Sequence, residues 1–156
     1  MTPALRLLKA NAVAHAVLSY THDPQAASYG EEAARVLGLD PGSVFKTLLA
    51  ATEKQELLVA IVPVSGSLDL KALATAADCK RCEMAGAAAA QRATGYLLGG
   101  ISPLAQKKQH RTFIDASAQA LAKMHVSAGR RGLEVALAPD DLRALTAATF
   151  APIAKP

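Results

Sequence analysis

The stretch Val44-Phe45-Lys46-Thr47-Leu48-Leu49-Ala50-Ala51, followed beyond Glu53-Lys54-Gln55 by Leu57-Leu58-Val59-Ala60-Ile61-Val62-Pro63-Val64, decides the fold. Two short apolar runs bounded by polar turn residues read as the two strands of a hairpin. Strand alternation puts Val44, Lys46 and Leu48 on one face and Phe45, Thr47 and Leu49 on the other. A lysine between two aliphatic residues on one face is costly to bury unless an anion meets it. Lys46 is therefore either a cation aimed into a pocket, holding a phosphate or an anionic transition state, or a strand-end residue whose stem snorkels to solvent.

Working outward toward the N-terminus, Asp40-Pro41-Gly42-Ser43 reads as a turn or helix start. Gly30–Leu37 (GEEAARVL) reads as a helix. Its early glutamates suit the positive N-terminal dipole, and Gly38 supplies the stop. Ala14–Thr21 is a predicted strand. Thr2-Pro3 opens a short helix, with Thr2 as N-cap and proline at the first position.

Toward the C-terminus, Asp69 is placed to cap a helix running to Ala77. Lys80–Met84 reads as a strand and Ala87–Ala93 as a helix, with Gly95–Pro103 a glycine-bearing loop in which Tyr96-Leu97-Leu98 is extended. Thr112–Asp115, Met124–Ser127 and Leu133–Leu137 are further predicted strands. Pro139-Asp140-Asp141 opens a final helix carrying Leu142 and Leu145 on one side. The periodicity switches repeatedly between helical and strand-like, which predicts a mixed α and β single domain over residues 1–156.

Composition bounds the function. The 156 residues are 51% hydrophobic but only 4% aromatic, with no Trp, so the core is built from small and aliphatic side chains. The longest apolar runs fall well short of the roughly 20 residues needed to cross a bilayer, and MTPALRLLKAN lacks the pattern of a signal peptide. A cytoplasmic protein with no membrane association is expected. The formal net charge of +4 suits a polyanionic partner. The scarcity of aromatics argues against a base-stacking RNA module.

Three further segments could carry chemistry. Gly99-Gly100-Ile101-Ser102-Pro103 lets backbone approach a ligand and point N–H groups at it, as an anion nest or oxyanion hole; an ordinary turn is the alternative. It is no Walker loop and no GxGxxG. Ser127-Ala128-Gly129-Arg130-Arg131-Gly132 could contact a sugar or phosphate, or be a hairpin turn with solvated arginines. Glu134 shares a strand face with Gly132 and Ala136; its carboxylate would orient a substrate amine or a water, or face solvent. Lys107, Lys108, His110 and Arg111 form a basic cluster of the kind that is usually a solvated face.

Cys79-Lys80-Arg81-Cys82 is formally CxxC. It lacks a second cysteine pair for structural zinc. A thioredoxin-type redox pair would sit at a helix N-terminus after a strand. Here the second cysteine enters a predicted strand, where residues three apart point to opposite faces, which argues against a redox pair. The four histidines show no metal-ligand spacing, and GxSxG is absent. No metal and no cofactor are expected.

Taken together, these segments resemble the YbaK/EbsC family of aminoacyl-tRNA deacylases, which are similar to the editing insertion of bacterial prolyl-tRNA synthetases. The resemblance runs over nearly the whole chain: MTPALRLLK, SYTHDP, YGEEAARVLGLDP, VFKTLLA, CEMA, AAQRATGYLLGGISPLAQKK and VSAGRRGLEVALAPDDL. Its most specific pieces are FKTLL and GYLLGGISPLAQKK with its G-x-x-x-P loop, and its wording follows the subgroup that clears Cys-tRNA(Pro). CKRC plays no part in it.

The resemblance implies an α+β fold, a mixed, barrel-like β-sheet with peripheral helices around a single pocket. It implies hydrolysis of the ester between an amino acid and the 3′-terminal adenosine of tRNA, with aminoacyl-tRNA as substrate and prolyl-tRNA synthetase as partner. The family's essential lysine falls on Lys46. Its loop falls on Gly99 to Pro103, with the backbone of Gly100 and Ile101 positioning the carbonyl and Gly99, Ser102 and Pro103 lying against the acyl group and adenosine. Tyr20, Thr47, Ser127 and Glu134 match other substrate-binding positions. The subgroup's mechanism uses no enzyme nucleophile: the substrate's own thiol attacks its ester, giving a cyclic thiolactone and free tRNA, with Cys-tRNA(Cys) a further candidate substrate. Two alternatives stand beside it. One is a deacylase for another small amino acid such as alanine, with water as nucleophile. The other is a noncatalytic module that binds tRNA or a synthetase.

Overall fold

In the computed structural model, which describes residues 1–26 and 28–156, Thr2 Oγ1 accepts from the Leu5 amide and Pro3 opens α1 (Pro3–Ala10). The chain continues through β1 (Ala16–Ser19), α2 (Tyr29–Leu37), a 3₁₀ turn (Pro41–Ser43), β2 (Phe45–Thr52), β3 (Leu57–Pro63) and β4 (Ser67–Leu68). Then follow α3 (Leu70–Ala77), β5 (Cys82–Met84), α4 (Ala87–Thr94) and β6 (Arg111–Asp115). A second 3₁₀ segment (Ala116–Ala120), β7 (Met124–Arg130), β8 (Leu133–Leu137), α5 (Pro139–Thr146), β9 (Thr149–Ala151) and β10 (Ala154–Lys155) complete it.

Local chemistry explains most boundaries. Gly38 ends α2 in the left-handed conformation, φ 66°. Asp69 accepts from the Lys71 and Ala72 amides at the start of α3. Pro139 opens α5, with Asp140 and Asp141 in its first turn. Tyr96-Leu97-Leu98 is not extended: Gly95 closes α4 at φ 80°, and the Gly100 amide turns back to donate to the Leu97 carbonyl at 3.0 Å.

The expected hairpin is present. β2 pairs antiparallel with β3, Lys46 opposite Val62 and Thr47 opposite Ile61. Around it forms a five-stranded mixed sheet, in the order β5-β2-β3-β6-β9, with β6 parallel to β3 and to β9. Both faces are covered. Phe45, Leu49, Val59 and Ile61 join Leu8, Ile114, Met124, Val126, Val135, Leu137 and Leu142 in one cluster. Ala50, Leu58, Ala60 and Val62 join Leu73, Phe113 and Ile153 in the other, with Leu48 packed beside them. A strand buried on both sides reads as a continuous apolar run, which is how β3 reads.

The α+β class with helices outside the sheets is as expected. Among the described residues the strands form three sheets and no closed barrel: β1-β8-β7 and β10-β4 stand beside the five-stranded one. A single parallel bridge, Val44 to His125, links the start of β2 to β7. Among the described residues no helix is long and apolar enough to cross a membrane.

The two thiols are not apart. Cys79 lies in the turn after α3 and β5 begins only at Cys82, so strand alternation does not extend back to Cys79. The Sγ atoms are 3.5 Å from each other.

Asp115, 6% exposed, ties the C-terminal segment to the sheet: Oδ1 accepts from the Ile153 and Ala154 amides and Oδ2 from Ser117. Asp115→Ala leaves these donors without their acceptor, and a buried donor left unpaired costs about 1–3 kcal/mol. The variant is expected to lose about 3 kcal/mol in a urea titration, with an unchanged m-value; a loss under ~1 kcal/mol would contradict this role.

Candidate functional site

β2 enters the site because of its neighbours on both sides. The Val44–His125 bridge carries Lys46 and Ser127, two residues further along each strand, to one level. Ser127 pairs with Glu134 on β8, and Glu134 pairs with Leu18 on β1. Tyr20 follows β1 and donates its amide to the Gly132 carbonyl at 2.9 Å. These strands wall a cavity of about 310 Å³. Tyr20, Lys46, Thr47, Gly99, Ile101, Ser127 and Glu134 line it, together with Ser28, Tyr29, Gly30, Phe45, Leu48 and Leu98.

Of the residues expected in the site, Gly100, Ser102 and Pro103 are not in the cavity wall. The Gly100 amide is taken up by Leu97, and a Cβ on Gly100 would stand 2.5 Å from Arg130 Cα, so its backbone lies directly against the arginine turn. Ser102 is fully buried and its Oγ accepts from the Leu104 amide at 3.2 Å. Pro103 lines a separate cavity of about 210 Å³ with Leu7, Lys108 and His110. Gly100 and Ser102 are engaged in holding the loop, while Gly99 and Ile101 present it to the cavity. The Ile101 amide has no backbone acceptor among the described residues.

The α2 side of the pocket escaped the sequence reading. Tyr29 stands with its ring 4.2 Å below the Arg131 guanidinium, a cation–π contact. Gly99, at φ 89°, lies against the other part of that ring; a Cβ there would be 3.1 Å from Tyr29 Cε2. Arg131 Nη2 donates to the Asp23 carbonyl at 2.6 Å and stands 3.5 Å from Glu32 Oε1. Glu32, 2% exposed, accepts from the Asp23 amide at 2.7 Å. Arg131 is therefore a brace for the pocket wall and not a solvated turn residue. Gly30 did carry a signal. Glycine inside a helix costs about 1 kcal/mol relative to alanine, and here a Cβ would meet Val64 Cγ1 at 2.4 Å.

The electrostatics are asymmetric. Lys46 is half-buried, and the ion pairs among the described residues, Arg111–Glu56 and Arg131–Glu32, do not include it. Thr47 Oγ1 is buried without a hydrogen-bond partner, a group that a bound ligand would satisfy. Burial pushes the Glu134 carboxyl up to about 8, so near neutrality it is mostly a neutral acid able to donate. Tyr20 is raised too, first by burial and then by the nearby Glu134 and Glu32 charges. No histidine lines the cavity, and among the described residues no group of three or more His, Cys, Asp or Glu could hold a metal ion. The site offers one cation, hydroxyls, a neutral carboxyl and free backbone, which suits an uncleaved ester with a developing negative charge.

Residues 23–145 match a family model described as aminoacyl-tRNA editing domain. Over 152 residues the chain is 36% identical to EbsC of Enterococcus faecalis, assigned as a Cys-tRNA(Pro)/Cys-tRNA(Cys) deacylase, covering 97% of this chain and 92% of that protein. The fold is similar to the crystal structure of a hypothetical protein (TM-score 0.86, 21% identity, covering 99% of this chain and 100% of that one). It is also similar to a crystal structure assigned as a trans-editing enzyme for prolyl tRNA synthetase (TM-score 0.83, 20% identity, covering 100% and 99%).

Burial of Glu134 predicts a pH signature. Its folded-state value is above the ordinary 4.5, so the folded protein keeps a proton that the unfolded chain releases. The associated stability is fully present below about 4.5 and is lost as pH rises to about 8, with a slope of at most about 1.4 kcal/mol per pH unit. Glu134→Gln removes this dependence. In denaturant titrations the variant is expected to gain on the native protein steadily from pH 5 to pH 8; parallel profiles would refute the burial effect.

Proposed function

The chain belongs to the aminoacyl-tRNA editing domain family, and from that premise we propose that it is a trans-editing deacylase that clears Cys-tRNA(Pro), and Cys-tRNA(Cys) with it, in the cytoplasm. The observation that carries the proposal is the unpaired Lys46 ammonium at a cavity about 310 Å³ in volume, rimmed by Gly99 and Ile101. Residues 1–156 act as one domain, and a domain this small grips little beyond the 3′-end of a tRNA. Discrimination among tRNAs then comes from a partner, for which prolyl-tRNA synthetase is the candidate.

The substrate supplies the nucleophile. Its cysteine sulfur attacks its own ester carbonyl, the bond to the adenosine oxygen breaks, and a thiolactone leaves with free tRNA as the other product. The protein's part is orientation and charge stabilisation. Lys46 meets the negative charge that builds on the carbonyl oxygen or the terminal nucleotide. The Ile101 amide and the Thr47 hydroxyl donate into the same space, while Tyr20, Gly99, Ser127 and Glu134 hold the aminoacyl-adenosine. Gly100, Ser102 and Pro103 keep the loop against the arginine turn.

One observation favours a second reading. A buried carboxyl with a value of about 8 at the cavity wall could, when ionised, take a proton from water, which would suit a deacylase for alanine or another small amino acid.

The two readings separate on a panel of aminoacylated tRNA(Pro). Thiol assistance predicts rapid deacylation of the cysteinyl ester and a collapse in rate with seryl or alanyl esters; comparable rates on all three would establish water as nucleophile. Lys46→Ala is expected to lower kcat/KM by about 10²-fold or more. Full activity in that variant would overturn its role, and binding without turnover on any ester would leave a noncatalytic module.

A further inference from the structure

The Cys79–Cys82 pair lies outside the cavity and takes no part in deacylation. Its thiols are held together by three independent anchors. The Cys79 amide donates to the Ala74 carbonyl at 3.0 Å, closing α3 beyond Asp78 at φ 56°. Cys82 is fixed in β5, opposite Thr52 of β2. Between them, the Lys80 and Arg81 amides donate to Glu53 Oε1 at 3.0 and 3.4 Å. Both cysteines are free and half-buried, packed at the edge of the second core cluster, with their sulfurs 3.5 Å apart.

We propose that Cys79 and Cys82 are a reversible dithiol–disulfide pair that is oxidised by exchange with a low-molecular-weight disulfide. Two thiols give too few ligands for a structural metal site, and no third joins them among the described residues. What the geometry favours is sulfur–sulfur chemistry. Cys79 loses its proton to solvent, and its thiolate attacks one sulfur of the external disulfide. That S–S bond breaks, a mixed disulfide forms on Cys79, and one thiolate leaves. Cys82 then releases its proton to solvent and attacks the Cys79 sulfur, expelling the second thiolate. Two protein thiols are oxidised and one external disulfide is reduced to two thiols. Burial, with Cys79 beside it, pushes the Cys82 thiol up to about 12, which suits Cys82 to the second, resolving step. Cys82 pairs at the end of β2 remote from Lys46, six residues and about 20 Å along the strand, so the pair is separate from the cavity.

The test uses the intact protein in glutathione buffers of increasing oxidised fraction, quenched with an alkylating reagent and weighed by mass spectrometry. Wild type is expected to pass from two alkylated thiols to none, with the loss of two hydrogen atoms, as a monomer without adduct. Cys82→Ser is expected to stop with one glutathione on Cys79. Two alkylatable thiols retained across the series, or mixed disulfides and dimers in place of the internal bond, would overturn the proposal.

Discussion

The antiparallel pairing of β2 with β3, buried on both faces, is the constraint on which the rest depends. A strand covered on both sides cannot slip by one residue without exchanging the two clusters it feeds. Phe45 and Leu49 must enter one core and Leu48 and Ala50 the other. That requirement fixes the direction of Lys46. The same strand is anchored at its start by the Val44–His125 bridge, which sets it against β7. Lysine, serine and glutamate from three strands thus meet at one level because backbone registers agree.

Desolvation does the remaining work at the cavity. Glu134 is buried enough to favour its neutral form, and Thr47 Oγ1 has no partner. Both features cost stability, a cost that a polar ligand bound at the cavity would offset. Lys46 is in neither ion pair found among the described residues, so its positive charge is left unneutralised beside the cavity. The wall that completes the site is held by Arg131, which stacks on Tyr29, donates to the Asp23 carbonyl and pairs with Glu32. Arg131 therefore serves as structure behind the cavity wall, while Lys46 lies outside the ion pairs found among the described residues.

Much of this was legible in the sequence. Proline at a first helical position, Asp69 as a cap and Gly38 as a stop identified helices that the structure contains. The hairpin followed from two short apolar runs set either side of Glu53-Lys54-Gln55. The strands that escaped notice, β4, β9 and β10, are two or three residues long and have no periodicity to read. Gly100 and Ser102 belong to the loop that brings Gly99 and Ile101 to the cavity, yet one amide and one hydroxyl are engaged inside it, by Leu97 and Leu104. Tyr29 and Arg131 carried no local sign of their pairing, being about a hundred residues apart.

The sequence by itself determined the local elements, the α+β class and the face on which Lys46 sits, since caps, stops and alternation depend only on neighbours along the chain. Tertiary structure alone decided which side chains share the cavity, that Arg131 turns inward, how the described strands divide among sheets, and that the thiols of Cys79 and Cys82 meet. Each of those depends on where one segment stops and how a distant one registers against it, and such long-range pairing is set by the burial of the whole core and not by any short run of residues.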